Sequence, residues 1–254
     1  MTGAVAVVTG AGGGLGSSVA EELARAGARL VLLDVSIAAL QPICDALEER
    51  TGARPVAIAC DVSDADQVDL AQREVEERVG PCTVLVNNAA VYRRAALEDH
   101  PLELWDQTMA VNLRGYFLCT RAFGRSMIAQ RAGSIVNVSS IAALGPTPNA
   151  VSYCVSKAAI LALTRQTALE WGNHGIRANA VSPGFMATPM SSAFGSDDLY
   201  KAREQRVPVG RIGTTEEVAR VIGFLAGPRA SFISGVNITV DGGLTQTLSQ
   251  TFPR

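Results

Sequence analysis

The chain has 254 residues, 48% hydrophobic and 18% charged, with a formal net charge of −2. That composition suits one compact domain around a large buried sheet and excludes a disordered chain, and the near-balanced charge leaves no basic footprint for nucleic acid or an anionic membrane. The cysteines at 44, 60, 82, 119 and 154 have no paired short spacing and no histidine cluster beside them, so neither a metal site nor a disulfide framework is expected, and a reducing cytoplasm is the natural setting. No stretch approaches the roughly 20 apolar residues of a membrane span, and the first ten residues carry no charged leader.

Short β-branched runs alternate with longer helical patterns from the start. Residues 5–8 read as a strand, 17–26 as a helix, 29–33 as a strand and 37–50 as a helix. Strands follow at 55–60, 84–86, 134–138, 177–181 and 237–240, with helices at about 65–79, 103–130, 150–172 and 215–227 between them. Strands this uniformly apolar are buried on both faces, and helices of this length cover a parallel sheet through right-handed crossovers. The expected fold class is therefore α/β, a doubly wound parallel sheet of about seven strands with helices on both faces. Residues 188–209 are weakly patterned, rich in Pro, Gly, Ser and Met, and read as a mobile flap.

Between the first strand and first helix lies a glycine turn: Gly10, Gly12, Gly13, Gly14, Leu15 and Gly16. Glycines there let the backbone turn sharply and approach a pyrophosphate, while the helix N-terminus meets its negative charge. The second strand ends at Asp34, 24 residues after Gly10. A carboxylate in that place accepts from adenosine ribose hydroxyls and repels a 2′-phosphate; no Arg or Lys occupies the glycine turn or the two positions after Asp34, so NAD is the expected cofactor. Asp61 and Val62, and Asn88, Ala89 and Ala90, end the third and fourth strands at the carboxyl edge, where ligands of such sheets bind. Of the 22 basic residues only Lys157 and Lys201 are lysines, and Lys157 stands four residues after Tyr153, on the same helical face. An ammonium beside a phenol favours its ionised form, which suits Tyr153 to proton transfer.

Together these residues resemble the short-chain dehydrogenase/reductase family over essentially the whole chain. The resemblance rests on the glycine turn from Thr9 to Gly16, Asp61 and Val62, Asn87 to Ala90, Asn112, Ser139 and Ser140, and Tyr153 to Lys157. It continues through Ser182, Pro183 and Gly184 with Thr188 and Pro189, and the tail from Ser234 to Gly243. Ala90 departs from the glycine usual in the family's Asn-Asn-Ala-Gly turn, which is tolerable if its φ is negative. The resemblance implies a single Rossmann-type domain over 1–254 and hydride transfer between NAD and a secondary alcohol or ketone, on the pro-S side. It selects Ser140, 13 residues before Tyr153, to orient the substrate oxygen, with Tyr153 as general acid/base. Lys157 then lowers the Tyr153 pKa and holds the nicotinamide ribose. Asn112 kinks its helix and holds a water next to Lys157. Thr188, with Pro183, Gly184 and Met186, fixes the carboxamide.

Ser140, Ala142, Leu144, Asn149, Tyr153, Phe185 and Met190 are expected to face the substrate, with Phe194 and Leu199 of the flap nearby. No Arg or Lys is clearly aimed into that apolar pocket, so a neutral secondary alcohol, ketone, polyol or steroid-like molecule is favoured over a small anion. A 3-oxoacyl-carrier-protein reductase is the rival reading, with Arg131, and more weakly His174, as a cation for an acidic carrier; a non-catalytic NAD-binding regulator is the rival from another class. The resemblance also implies a homotetramer, with the helices at about 103–130 and 150–172 pairing between subunits.

Overall fold

A computed structural model describes residues 1–188 and 197–249. In chain order β1 (Val5–Thr9), α1 (Gly14–Arg25), β2 (Arg29–Asp34), α2 (Ile37–Thr51), β3 (Val56–Ala59), α3 (Ala65–Arg78) and β4 (Val84–Asn87) form the first half. The second holds α4 (Leu102–Met109), α5 (Gly115–Gln130), β5 (Gly133–Val138), α6 (Val151–Trp171), β6 (Ile176–Pro183), α7 (Asp197–Arg206), α8 (Thr215–Ala226) and β7 (Asn237–Val240). All seven strands join one parallel sheet in the order β3-β2-β1-β4-β5-β6-β7. The order reverses between β1 and β4, so a crevice opens outside their carboxyl ends.

The alternation of side chains along β1 builds both layers. Ala6 and Val8 point into a core closed by α1, α2 and α8, through residues such as Leu23, Leu40 and Ile222. Val5 and Val7 point the other way, against Val75 of α3 and Phe123 and Met127 of α5. Each fully buried aliphatic side chain stabilises by roughly 1.5–3 kcal/mol, so the two clusters fix the sheet and hence the position of its carboxyl edge.

Three expectations change. α1 begins at Gly14, three residues before the expected start at 17, because the glycines mask the first turn of the helical pattern. The expected helix at 103–130 is divided: α4 ends at Met109, a π-helical turn spans Ala110–Arg114, and α5 begins at Gly115. The expected flap at 188–209 contains α7, whose residues are nearly all polar and offer no apolar stripe to read. Of the flap, Pro189, Met190 and Phe194 and the side chain of Leu199 lie outside the described residues. Among the described residues no helix is long and apolar enough to cross a membrane.

Candidate active site

The crevice is a cleft of about 360 Å³. One end is the glycine turn. Gly10 adopts φ +62°, and a Cβ there would lie 2.6 Å from the Cα of Ala89, so only glycine permits β1 and β4 to close at this edge. Asn88 locks the closure by donating from Nδ2 to the carbonyls of Thr9 and Gly10, each at 3.0 Å. The Thr9 hydroxyl accepts from the Asn88 and Ala89 N–H groups at 2.9 and 3.1 Å. Ala90 has negative φ, since the only non-glycine residues at positive φ among those described are Arg131 and Asn149.

Asp34 closes the same end from β2. Its Oδ2 accepts from the Gly12 N–H at 3.0 Å and its Oδ1 from the Ser36 N–H at 3.1 Å. Ser36, not Asp34, caps α2, accepting from the Ala39 N–H.

At the other end the polypeptide leaves β5 and parts two adjacent serines. Ser139 is buried and donates to the Lys157 carbonyl at 2.8 Å, which anchors α6 to the sheet. Ser140 is extended at φ −167°, and its Oγ accepts from the Ala142 N–H at 3.1 Å while facing the cleft. Tyr153 meets Ser140 from α6. Burial pushes the phenol up to about 12, an effect the hydrogen bond from Ser140 partly offsets. The ring of Tyr92 packs edge-on against Tyr153, with centroids 4.8 Å apart and planes at 82°.

Lys157 is 1% exposed. Its Nζ donates to the Val138 carbonyl at 2.8 Å and lies 5.7 Å from the centroid of the Tyr153 ring. Burial pulls its pKa down to about 7. For these residues taken alone, burial is thus the largest influence on both the Tyr153 phenol and the Lys157 amine. Both groups share a desolvated corner, and burial drives each towards its neutral form. Asn112 sits in the π turn, 0% exposed, and does not line the cleft. Its Oδ1 accepts from Val91 N–H at 2.8 Å, and its Nδ2 donates to Val91 O at 2.9 Å and Ser156 Oγ at 3.2 Å. With both side-chain donors engaged, Asn112 ties the loop after β4 to α6.

Apart from Asp61 and Val62, every residue expected at the cofactor lines this one cleft, Pro183, Gly184, Met186 and Thr188 included. Asp61 turns its carboxylate to the Ser63 N–H and hydroxyl, and Val62 is 5% exposed, packed where Gly115 leaves room for its side chain. Of the expected substrate residues, Ser140 and Tyr153 line the cleft, whereas Ala142, Leu144, Asn149 and Phe185 do not. Ala142 is buried behind Ser140, Leu144 is half-exposed, Asn149 turns at φ +62° with its carbonyl accepting from Ala95, and Phe185 faces a smaller neighbouring pocket with the Arg203 guanidinium over its ring. Met190 lies outside the described residues. Tyr92 and Tyr116 were missed by the sequence reading.

A dinucleotide fits these residues. The α1 N-terminus opens on the cleft, Asp34 offers a carboxylate, and Lys157 is the only cation among the lining residues. A Cβ on Gly12 would stand 3.0 Å from Asp34 Oδ2 and 2.8 Å from the Ala39 Cβ, so glycine keeps a side chain out of the space over that carboxylate. Among the described residues no His, Cys, Asp and Glu cluster could hold a metal.

Residues 10–245 match the family model described as Enoyl-(Acyl carrier protein) reductase. The chain is 41% identical over 250 residues to the galactitol 2-dehydrogenase (L-tagatose-forming) of Cereibacter sphaeroides, covering 96% of each. It is 36% identical over 245 residues to the NAD-dependent glycerol dehydrogenase of Listeria innocua, covering 96% of this chain and 95% of the other. The crystal structure of a gluconate 5-dehydrogenase from Burkholderia cenocepacia in complex with NADP and tartrate superposes with TM-score 0.92 at 34% identity, covering 97% of this chain and 96% of that one.

Proposed function

The chain belongs to the short-chain dehydrogenase/reductase family, the oxidoreductases that interconvert secondary alcohols and ketones with a nicotinamide cofactor, and we propose that it oxidises a polyol with NAD within a single domain. The observation that carries this reading is one cleft with Asp34 and a glycine turn at one end and Ser140, Tyr153 and Lys157 at the other. NAD, when bound, supplies the hydride acceptor. Asp34 would accept from its adenosine ribose, and its charge would oppose the 2′-phosphate of NADP. Lys157 would hold the nicotinamide ribose, and Pro183, Gly184, Met186 and Thr188 would hold the carboxamide.

Ser140 donates a hydrogen bond to the substrate oxygen and orients it. Tyr153 takes the hydroxyl proton from that oxygen during oxidation and returns it during reduction. Burial favours the protonated phenol, so reduction begins from the proton already present, while in oxidation the phenol must first give up its proton, which a charged Lys157 beside it favours. The polyol reading is supported by relatives named for galactitol and glycerol.

The carrier-protein reductase reading is weakened by where its cations lie. Arg131 and His174 stand just before the first residues of β5 and β6, at the amino edge of the sheet, and Arg131 donates to the Asn173 carbonyl at 2.6 Å. A carrier bound there would be on the opposite edge from Tyr153. A homotetramer is supported by a largely apolar groove along α4, the π turn and α5, lined by Met109, Ala110, Leu113 and the half-exposed Phe117 with Asp106 and Arg114 beside them, and by Leu169 on α6, 78% exposed. The sedimentation coefficient of a monomer would remove that assembly.

Initial rates with NAD and NADP on hexitols, glycerol and aldonates, and with NADH and NADPH on an acetoacetyl thioester, test the reading. A polyol with NAD should give the highest kcat/KM. Faster thioester reduction with NADPH would make the chain a carrier-protein reductase, and NAD binding without turnover on any substrate would make it a regulator.

A further inference from the structure

Lys157 has a second phenol beside it, that of Tyr116. Tyr116 is 1% exposed at the start of α5, and its hydroxyl donates to the Val138 carbonyl at 3.0 Å. The Lys157 Nζ donates to that carbonyl at 2.8 Å and reaches the Tyr116 oxygen at 3.4 Å. It lies 5.2 Å from the centroid of the Tyr116 ring and 5.7 Å from that of Tyr153, so the ammonium is within cation–π reach of two aromatic rings.

We propose that Tyr116 is a positioning residue, whose hydroxyl and ring hold Lys157 as a charged ammonium with one donor left for the cleft. An ammonium has three N–H groups. Val138 and Tyr116 take two, which leaves the third to point towards bound cofactor. The Tyr116 proton is already given to Val138, so towards Lys157 this hydroxyl acts as an acceptor. It therefore favours the ammonium over the neutral amine, against the burial that acts on the same group.

The π turn makes this contact possible. Its extra residue rotates α5 by about 100° relative to the continuation of an unbroken α-helix, which carries Tyr116 under β5 and leaves Phe117 half-exposed. Besides Lys157, the titratable groups that act on Tyr116 are Tyr153 from α6 and Cys119 from its own helix, and no carboxylate is among them. Lys157 is depressed by burial alone. The Tyr116 hydroxyl is a side-chain acceptor within reach of that charge.

The chain offers a direct test because Lys157 and Lys201 are its only lysines. In protein labelled at the lysine ε-carbon, two NMR signals are expected, and Lys201→Arg identifies the exposed one. The conservative variant Tyr116→Phe keeps the ring and removes the hydroxyl. It should lower the Lys157 titration midpoint by about one pH unit and move the acid limb of kcat/KM for alcohol oxidation upward. An unchanged or raised Lys157 midpoint in a folded Tyr116→Phe protein overturns the proposal. The inference rests on Lys157 being the cation of the proposed active site, yet the NMR titration needs no turnover, so loss of the substrate reading and loss of this one are read separately.

Discussion

Two cations are drawn in against the sheet at opposite edges, and their surroundings differ. Arg177, second in β6 at the amino edge, donates to the carbonyls of Leu225, Gly227 and Ile233 at 2.8, 3.0 and 3.4 Å and to the Ser134 hydroxyl at 3.2 Å. Leu225 and Gly227 lie at the carboxyl end of α8, where the helix dipole also favours a cation. Lys157, at the carboxyl edge, has one short hydrogen bond to Val138 and a long one to Tyr116. A guanidinium whose donors end on the protein's own carbonyls fastens structure, whereas an ammonium with a donor to spare beside a cleft marks a site. The fork of Arg and the point charge of Lys suit these tasks and are not interchangeable.

Exchanging the cations should separate the two roles. Lys157→Arg should lower kcat by about 10²-fold or more, because a planar fork cannot take the ammonium's place beside the Val138 carbonyl and the Tyr116 hydroxyl and keep its aim, while the circular dichroism spectrum stays native. Retained turnover would show that any cation suffices there. Arg177→Leu leaves the α8 carbonyls without their partner and should cost about 2–3 kcal/mol, seen as a fall in Tm of roughly 5–10 °C. NAD affinity and KM should stay within about twofold; a larger change would mean that the amino edge reaches the chemistry.

A smaller effect distinguishes the two by pH. Lys157 is held near 7 in the folded chain against an ordinary 10.5, so between those values the unfolded chain binds more protons and stability rises with pH. Lys157→Met removes that penalty. Its Tm should exceed the parent's by ~5 °C at pH 6, with the difference fading towards pH 10. A gain that does not vary with pH would mean that packing, not charge, limits stability at this position.

The parts of this contrast that the sequence made legible are those set by short spacings. A strand, a glycine turn and a helix start place Gly10 to Gly16, a strand end places Asp34, and a helical i, i+4 step places Tyr153 and Lys157 on one face. Tyr92 and Tyr116 could not be read this way. Tyr92 reaches Tyr153 through the path of an irregular loop, and Tyr116 faces Lys157 only because the π turn resets the helix face, which no period of 3.6 residues foretells. Part of the expected apolar substrate wall lies away from the cleft for a similar reason. Leu144, Asn149 and Phe185 follow turns whose direction is set by backbone bonds such as Ala95 to Asn149 and Gly213 to Phe185. Hydropathy carries no information about those bonds. At Tyr153 the proximity of a cation was legible, but the burial that opposes ionisation of the phenol was not.

The central claim is that Tyr153 moves the substrate proton at a site whose cofactor end stands independently of it. Tyr153→Phe, with NAD affinity by calorimetry and polyol oxidation by NADH formation on the same sample, tests it most directly. The account predicts NAD affinity within about twofold of the parent and a loss of turnover of about 10³-fold or more. Appreciable residual oxidation by the variant, with NAD still bound, would contradict it.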